Sequence, residues 1–326
     1  MDRPIRIVFM GTATLAQEVL RALLDESMHE VVGIVSQPDR PAGRKMKHQP
    51  TPVKLLAMER GLEVFQPEKI KSPDSLKVLQ SWKPDLGVVA AYGQLLSESV
   101  LSLPTHGCLN VHTSILPKYR GAAPIQWAIH DQQKETGVTI MKMDKGMDTG
   151  DIISIEKTPI DPEETSGMLH DRLAKIGGAL LIKTISGYLS GEMSPYEQNH
   201  QESSHARKIN KLDGLIDWYK KASEIKAHTN AFSPWPGSYT YLSSQQSEKP
   251  DLVKIWKIKA IENDDNIEST PGEIVVANKN QVVVKCGGHS AIELLEIQFP
   301  GAKRLSIDSI QSAKKFKVGD RFINKL

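Results

Sequence analysis

The chain has 326 residues, 39% of them hydrophobic and 25% charged, with a formal net charge of +2 at pH 7. That length leaves room for two domains and a sizeable core, and that composition excludes a disordered or fibrous protein. No stretch reaches the ~18 apolar residues of a membrane span. The only cysteines, Cys108 and Cys286, have no metal-ligand spacing, so no disulfide scaffold and no metal are expected and the pattern fits a reducing cytoplasm.

In chain order, Met-Asp-Arg-Pro leads directly into Ile5–Met10, which reads as a buried strand ending at Gly11 and not as a signal peptide. Ala13 to Leu24 has Ala16, Val19, Leu20, Leu23 and Leu24 on one helical face. Strands are expected at 31–35, 64–65, 86–91, 109–112 and 138–143, and helices at 52–60, 75–81 and 166–189. The apolar run Leu86–Ala91 suits a sheet covered on both faces. Alternating strands and helices predict an α/β fold with a doubly wound sheet. Residues 191–209 are polar and almost without aliphatics, the pattern of a linker. Beyond them a short helix near 222–231 precedes strands at 253–260, 273–276, 282–286, 291–297 and 320–323. Short strands separated by turn residues predict a small β-barrel. Trp218 and Trp235 could serve as platforms for stacked bases, but core packing is the expectation for both. Residues 208–326 carry 18 Lys and Arg against 14 Asp and Glu, whereas the rest of the chain carries 23 against 25.

Gly107–Ile129 is the most informative stretch. Its centre is Asn110-x-His112-x-Ser114-x-x-Pro117, followed by Arg120-Gly121-x-x-Pro124. Side chains alternate along a strand, so Asn110 and His112 point one way and Val111 the other, and two steps span roughly 7 Å. An amide and an imidazole so placed can address one small group. Pro117 and Gly121 mark a loop, and Pro124 suits the first turn of a helix. A second marker, Asp144-Lys-Gly146-Met-Asp148-Thr-Gly150-Asp151, follows the strand at 138–143. Asn, His and Asp at neighbouring strand ends could act together on a carbonyl. The amide and imidazolium would hold an oxyanion, and the carboxylate would handle a proton. Cys108 lies one repeat deeper on the same face and reads as a packing residue.

Asn110-Val-His112-Thr-Ser114-Ile-Leu-Pro117, with Arg120-Gly121-Ala-Ala-Pro124 and Asp148-Thr-Gly150-Asp151, resembles the folate-dependent formyltransferases. The resemblance implies that Asn110, His112 and Asp148 are catalytic. It also implies that Ser114, Ile115, Leu116 and Pro117 bind the folate, 10-formyltetrahydrofolate being the formyl donor. Thr113 and Ile115 depart from the usual Gly or Ala and the usual Leu. Ser36-Gln-Pro-Asp-Arg40-Pro-Ala-Gly-Arg44, Phe232-Ser-Pro-Trp-Pro236 and Phe9-Met-Gly-Thr-Ala13 are similar to segments of the methionyl-tRNA formyltransferases within that family. The implied partner is charged initiator tRNA, gripped by Arg40, Arg44, Lys45 and Lys47 on an inserted loop and by the basic C-terminal half. Neither DNA nor a membrane is expected as a partner. The implied architecture is a Rossmann-like catalytic domain over 1–190, a linker over 191–209 and an OB-like β-barrel over 210–326 that binds tRNA.

Other readings have distinct signatures. A nicotinamide dehydrogenase needs Gly-x-Gly-x-x-Gly after the first strand, where this chain has Gly11-Thr-Ala-Thr14. A formyltransferase acting on an amino sugar would share the catalytic motif but not the basic loop. A hydrolase of formylfolate would use the same three residues with water in place of the amine. A non-catalytic RNA-binding module would not need the three together.

Overall fold

A computed structural model describes residues 3–26, 28–42, 47–244, 249–262, 269–312 and 315–324. In order, the chain forms β1 (Arg6–Gly11), α1 (Thr14–Asp25), β2 (Glu30–Val35), β3 (Arg40–Ala42), β4 (Lys47–Gln49), α2 (Pro52–Glu59), β5 (Val64–Phe65) and α3 (Pro73–Ser81). There follow β6 (Leu86–Ala90), α4 (Glu98–Leu101), β7 (Cys108–His112), β8 (Arg120–Gly121), α5 (Pro124–His130), β9 (Glu135–Lys142), β10 (Ile152–Pro159), α6 (Ser166–Ser190) and β11 (His205–Ala206). The chain then continues with α7 (Ala222–Ala231), β12 (Ser238–Ser243), β13 (Asp251–Ile261), β14 (Ile274–Ala277), β15 (Val282–Lys285), β16 (Ala291–Gln298), β17 (Leu305–Ser306), α8 (Ile307–Gln311) and β18 (Arg321–Ile323).

The first unit is built on a seven-stranded sheet in the order β10-β9-β7-β6-β1-β2-β5. The strands from β7 to β5 are parallel; β9 runs antiparallel to β7, and β10 antiparallel to β9. All five residues of β6 are buried, as a strand covered on both faces requires. The expected doubly wound sheet is present, with helix starts where the sequence supplies them. Thr51 Oγ1 accepts the Lys54 amide ahead of Pro52, and Ser72 Oγ accepts the Ser75 amide ahead of Pro73. Gly11 ends β1 because the chain is crowded there: a Cβ would lie 2.6 Å from that of Ala16. The strand order reverses beside β1, with β2 on one side and β6 on the other, so the carboxyl ends of β1, β6 and β7 border the crevice where such sheets bind ligands.

The second unit is an antiparallel sheet in the order β14-β15-β16-β13-β12-β18, with β17 on β16. It closes on itself: Ile274 N–H donates to Asp320 O at 2.8 Å and Phe322 N–H to Gly272 O at 2.7 Å. Gly272 is required at this seam, since φ is +89° and a Cβ would lie 2.2 Å from Phe322 O. Trp218 fills the interior, stacked on Phe322 with ring centroids 5.2 Å apart, and its indole N–H donates to Thr240 Oγ1 at 2.9 Å. Trp235 departs from its expected core position. It stands 52% exposed in the turn between α7 and β12.

Unit boundaries also differ from the sequence expectation of 1–190, 191–209 and 210–326. The first unit comprises 1–124, 135–159 and 170–206, and the second comprises 125–134, 160–169 and 207–326. Residues 191–206 are part of the first unit because their polar groups find backbone partners there. Tyr196 and Ile152 exchange N–H···O bonds of 2.9 Å, and β11 pairs with β8.

Candidate active site

At the carboxyl ends of β6 and β7 lies a cavity of about 410 Å³, walled by the segment from Ala91 to Leu96, by Asn110 to Thr113, by Gly121 and Ala122, and by the turn from Met143 to Asp148. Strand pairing sets its back wall: Asn110 lies opposite Val89 of β6 and Met141 of β9, and His112 opposite Thr139. Val111 faces away towards α6, where a Cβ on Gly177 would lie 2.9 Å from Val111 Cγ1. The strand thus gives the two polar side chains one face, as its two-residue period demands.

Asn110 is 8% exposed and lines the cavity, its amide without a partner among the described residues. His112 is 6% exposed. Its Nε2 lies 3.0 Å from the Tyr119 carbonyl. A carbonyl can only accept, so Nε2 carries the proton of that bond, and Nδ1 faces Asp148. Nδ1 is 3.7 Å from Asp148 Oδ2, longer than a hydrogen bond. That leaves Nδ1 able to serve a third atom.

Asp148 sits in the turn after β9 with φ +54°, a conformation that Asp and Asn tolerate better than most side chains. Its Oδ2 accepts the Gly121 N–H at 2.8 Å. Gly121 itself has φ +115°, and a Cβ there would lie 2.7 Å from Ala206 O, so only glycine can bring this amide to the carboxylate. Asp144 holds the turn from its other end, accepting from Gly146 N at 3.0 Å and from Thr149 Oγ1 at 2.7 Å. Gly150 is equally constrained: a Cβ would lie 1.9 Å from Lys142 O.

The structure therefore brings Asn110, His112 and Asp148 to one cavity. It does not bring Ser114, Ile115, Leu116 and Pro117 there. Ser114 is fully buried and Leu116 nearly so, while Ile115 and Pro117 are half-buried. Ser114 Oγ donates to Lys118 O at 2.6 Å, and Ser114 O accepts from Thr139 Oγ1 at 2.7 Å. The serine hydroxyl is used to fold its own loop. The cavity wall the sequence did not single out is the segment 91–96. Gln94 pins it to the scaffold by accepting the Ile70 amide at 2.9 Å. Tyr92 anchors it in apolar surroundings that push its hydroxyl up to about 12.

Cys108 is buried beneath the site, and burial pushes its thiol up to about 12, so it supplies no thiolate at neutral pH. Of the basic residues expected to meet RNA, Arg40 is exposed on β3 and paired with Glu68 at 2.8 Å. Lys47 lies opposite Ala42 in the β3–β4 pairing, and Arg44 and Lys45 lie outside the described residues. Among the described residues no helix is long and apolar enough to cross a membrane.

Comparison with known proteins bears on what this site does. Residues 5–185 match the formyl transferase family and residues 208–315 the formyl transferase C-terminal domain. The chain is 41% identical to the methionyl-tRNA formyltransferase of Marinobacter nauticus, over 95% of this chain and 97% of that one. It is 43% identical to the methionyl-tRNA formyltransferase of Alkaliphilus oremlandii, over 93% and 94%. Its fold is shared with an N-formyltransferase from Helicobacter canadensis solved with folinic acid and dTDP-3-aminofucose. The TM-score is 0.61 at 18% identity, over 89% of this chain and 98% of that one. With both domains matched and such relatives aligned over nearly its whole length, this chain belongs to the methionyl-tRNA formyltransferase family.

Proposed function

We infer that this protein transfers a formyl group from 10-formyltetrahydrofolate to the α-amino group of initiator methionyl-tRNA in the cytoplasm, making N-formylmethionyl-tRNA for translation initiation. The observation that carries the reading is the convergence of Asn110, His112 and Asp148 on one cavity, in a chain that follows methionyl-tRNA formyltransferases across both domains.

A cavity of about 410 Å³ falls within the usual range for a small organic substrate. Leu15, Val89, Leu95, Leu96 and Met143 supply apolar walls for a flat heteroaromatic ring, and Asn110, His112 and Asp148 line the same cavity. We assign the folate contacts to the segment 91–96, and to Ser114–Pro117 the shaping of the loop behind it. The amine lone pair forms the new bond to the formyl carbon, and the bond from that carbon to N10 of the folate breaks. Asn110 donates to the oxygen that becomes negative on the way, and His112 in its imidazolium form, with Nε2–H still on the Tyr119 carbonyl, supports it through Nδ1–H. Asp148 Oδ1 takes the proton leaving the amine, and the net transfer ends on N10. An α-amino group titrates near ~8, so a useful fraction is already neutral at pH 7. Arg40, Arg44, Lys45 and Lys47 are the proposed contacts to the acceptor end of the tRNA, where basic side chains meet phosphates.

The test is transfer of radiolabelled formyl to charged initiator tRNA, with elongator methionyl-tRNA and an amino-sugar nucleotide in parallel. Labelling of the initiator tRNA is expected. Labelling of the sugar alone would keep the chemistry and overturn the tRNA assignment.

A further inference from the structure

Gln198 lies in the stretch that reads as a linker, yet its side chain is only 3% exposed and reaches the catalytic turn. Its Nε2 donates to the carbonyls of Asp148 at 3.0 Å and Gly150 at 2.6 Å. Its Oε1 accepts from Arg120 Nε at 3.1 Å and Nη2 at 2.6 Å. A primary amide has two donors and two lone pairs, and here all four are used. The same Nη2 group of Arg120 also lies 2.9 Å from His200 Nδ1.

These bonds form a closed circuit around one residue. Arg120 holds Gln198, Gln198 holds the Asp148 carbonyl, and Gly121, next in chain to Arg120, holds the Asp148 carboxylate at 2.8 Å. Asp148 is thus tied at its main chain and its side chain to the same short strand. Its φ of +54° is one that persists only where the surroundings over-determine it.

We propose that Gln198 is a positioning residue for formyl transfer, holding the turn so that the Asp148 carboxylate stays beside His112 Nδ1. The proposal rests on the reading of Asp148 and His112 as the proton-handling pair. Without the two donors of Gln198 the carbonyls of Asp148 and Gly150 lose their partners and the turn relaxes. A displacement of ~1 Å at a reacting group can lower a rate ~100-fold.

Gln198→Glu keeps an acceptor for Arg120 and removes both bonds to the turn; Gln198→Met keeps the length and removes all four. Each is assayed as the full chain with formyl donor and charged tRNA, beside Asp148→Asn and the double variant Gln198→Glu/Asp148→Asn, with a thermal melt of each protein. For folded Gln198→Glu we expect kcat to fall ~10- to 100-fold while KM for the formyl donor changes little. The double variant should be no slower than Asp148→Asn, because Gln198 acts through Asp148. Wild-type kcat in folded Gln198→Glu, a loss confined to KM, or fully multiplying losses in the double variant would each overturn the proposal. Wild-type turnover in Asp148→Asn would instead bring down the reading of the pair itself, and the proposal with it.

Discussion

His112 in the first unit and His228 in the second are both enclosed imidazoles, and their surroundings differ in kind. His112 has a carbonyl on one nitrogen and a carboxylate 3.7 Å from the other, at the wall of a cavity. His228 packs edge-on against Phe232, with ring centroids 4.8 Å apart, and its Nε2 has no partner among the described residues. Burial, helped by the nearby His130, holds His228 down to about 4 despite the Gly214 backbone and the charges of Asp213 and Asp217. A buried histidine therefore does not by itself mark chemistry. What distinguishes His112 is access to a cavity and a partner set that leaves one nitrogen available.

That comparison can be broken most directly at the site. His112→Ala or Asp148→Asn should lower kcat ~100- to 1000-fold while the melting curve stays near that of the parent. A variant with ordinary turnover would put the two histidines on the same footing. The next effect belongs to His228. Its folded value lies below the ordinary 6.5, so the unfolded chain takes up the proton first. Stability is whole above pH ~6.5 and is lost as pH falls towards 4, by on the order of 2 kcal/mol. Denaturant titrations at pH 7 and pH 4.5 should show this loss, and His228→Leu should reduce it. An equal pH dependence in the variant would assign the acid sensitivity elsewhere.

Ser114→Ala sharpens the placement of the loop behind the cavity. Losing its bond to Lys118 O should cost ~1 kcal/mol of stability, with KM for the formyl donor unchanged. A large rise in KM would return Ser114 to the donor site. The smallest effect is expected at Cys108. Native protein should resist alkylation there at pH 8, and Cys108→Ala should leave the transfer rate unchanged. Rapid labelling of the native thiol would show that it is more accessible than its burial indicates.

Much of the first unit was legible because local pattern and tertiary role agree. The apolar run at β6, the proline after Thr51 and the alternation of Asn110 and His112 each specify one answer. Asp148 was legible because Gly146 and Gly150 mark a tight turn. Gln198 was not, because its meaning depends on carbonyls 48 and 50 residues earlier in the chain, and a polar stretch looks the same whether its partners are water or backbone. The wall at 91–96 was hidden for a related reason: its place depends on Gln94 accepting the amide of Ile70, 24 residues earlier in the chain. The strand β12 alternates buried with half-buried or exposed residues, but its period-two pattern is carried by serine, threonine and tyrosine, so no run of aliphatic residues marks it. Trp235 was misplaced because aromatic character alone does not fix burial when the chain turns at Pro234 and Pro236.

The interleaved unit boundaries carry a consequence for anyone who would cut or graft this protein. The chain passes from one unit to the other five times, at 124, 134, 159, 169 and 206. A fragment ending at 206 would keep Trp127 but lose Phe232, whose ring meets it edge-on at 6.1 Å, and Arg207, whose guanidinium lies 4.6 Å over it. Modular exchange at a single junction would thus leave Trp127 on one piece and its Phe232 and Arg207 partners on the other. A working chimera would have to carry residues 125–134 and 160–169 together with the barrel, as three inserts from one parent.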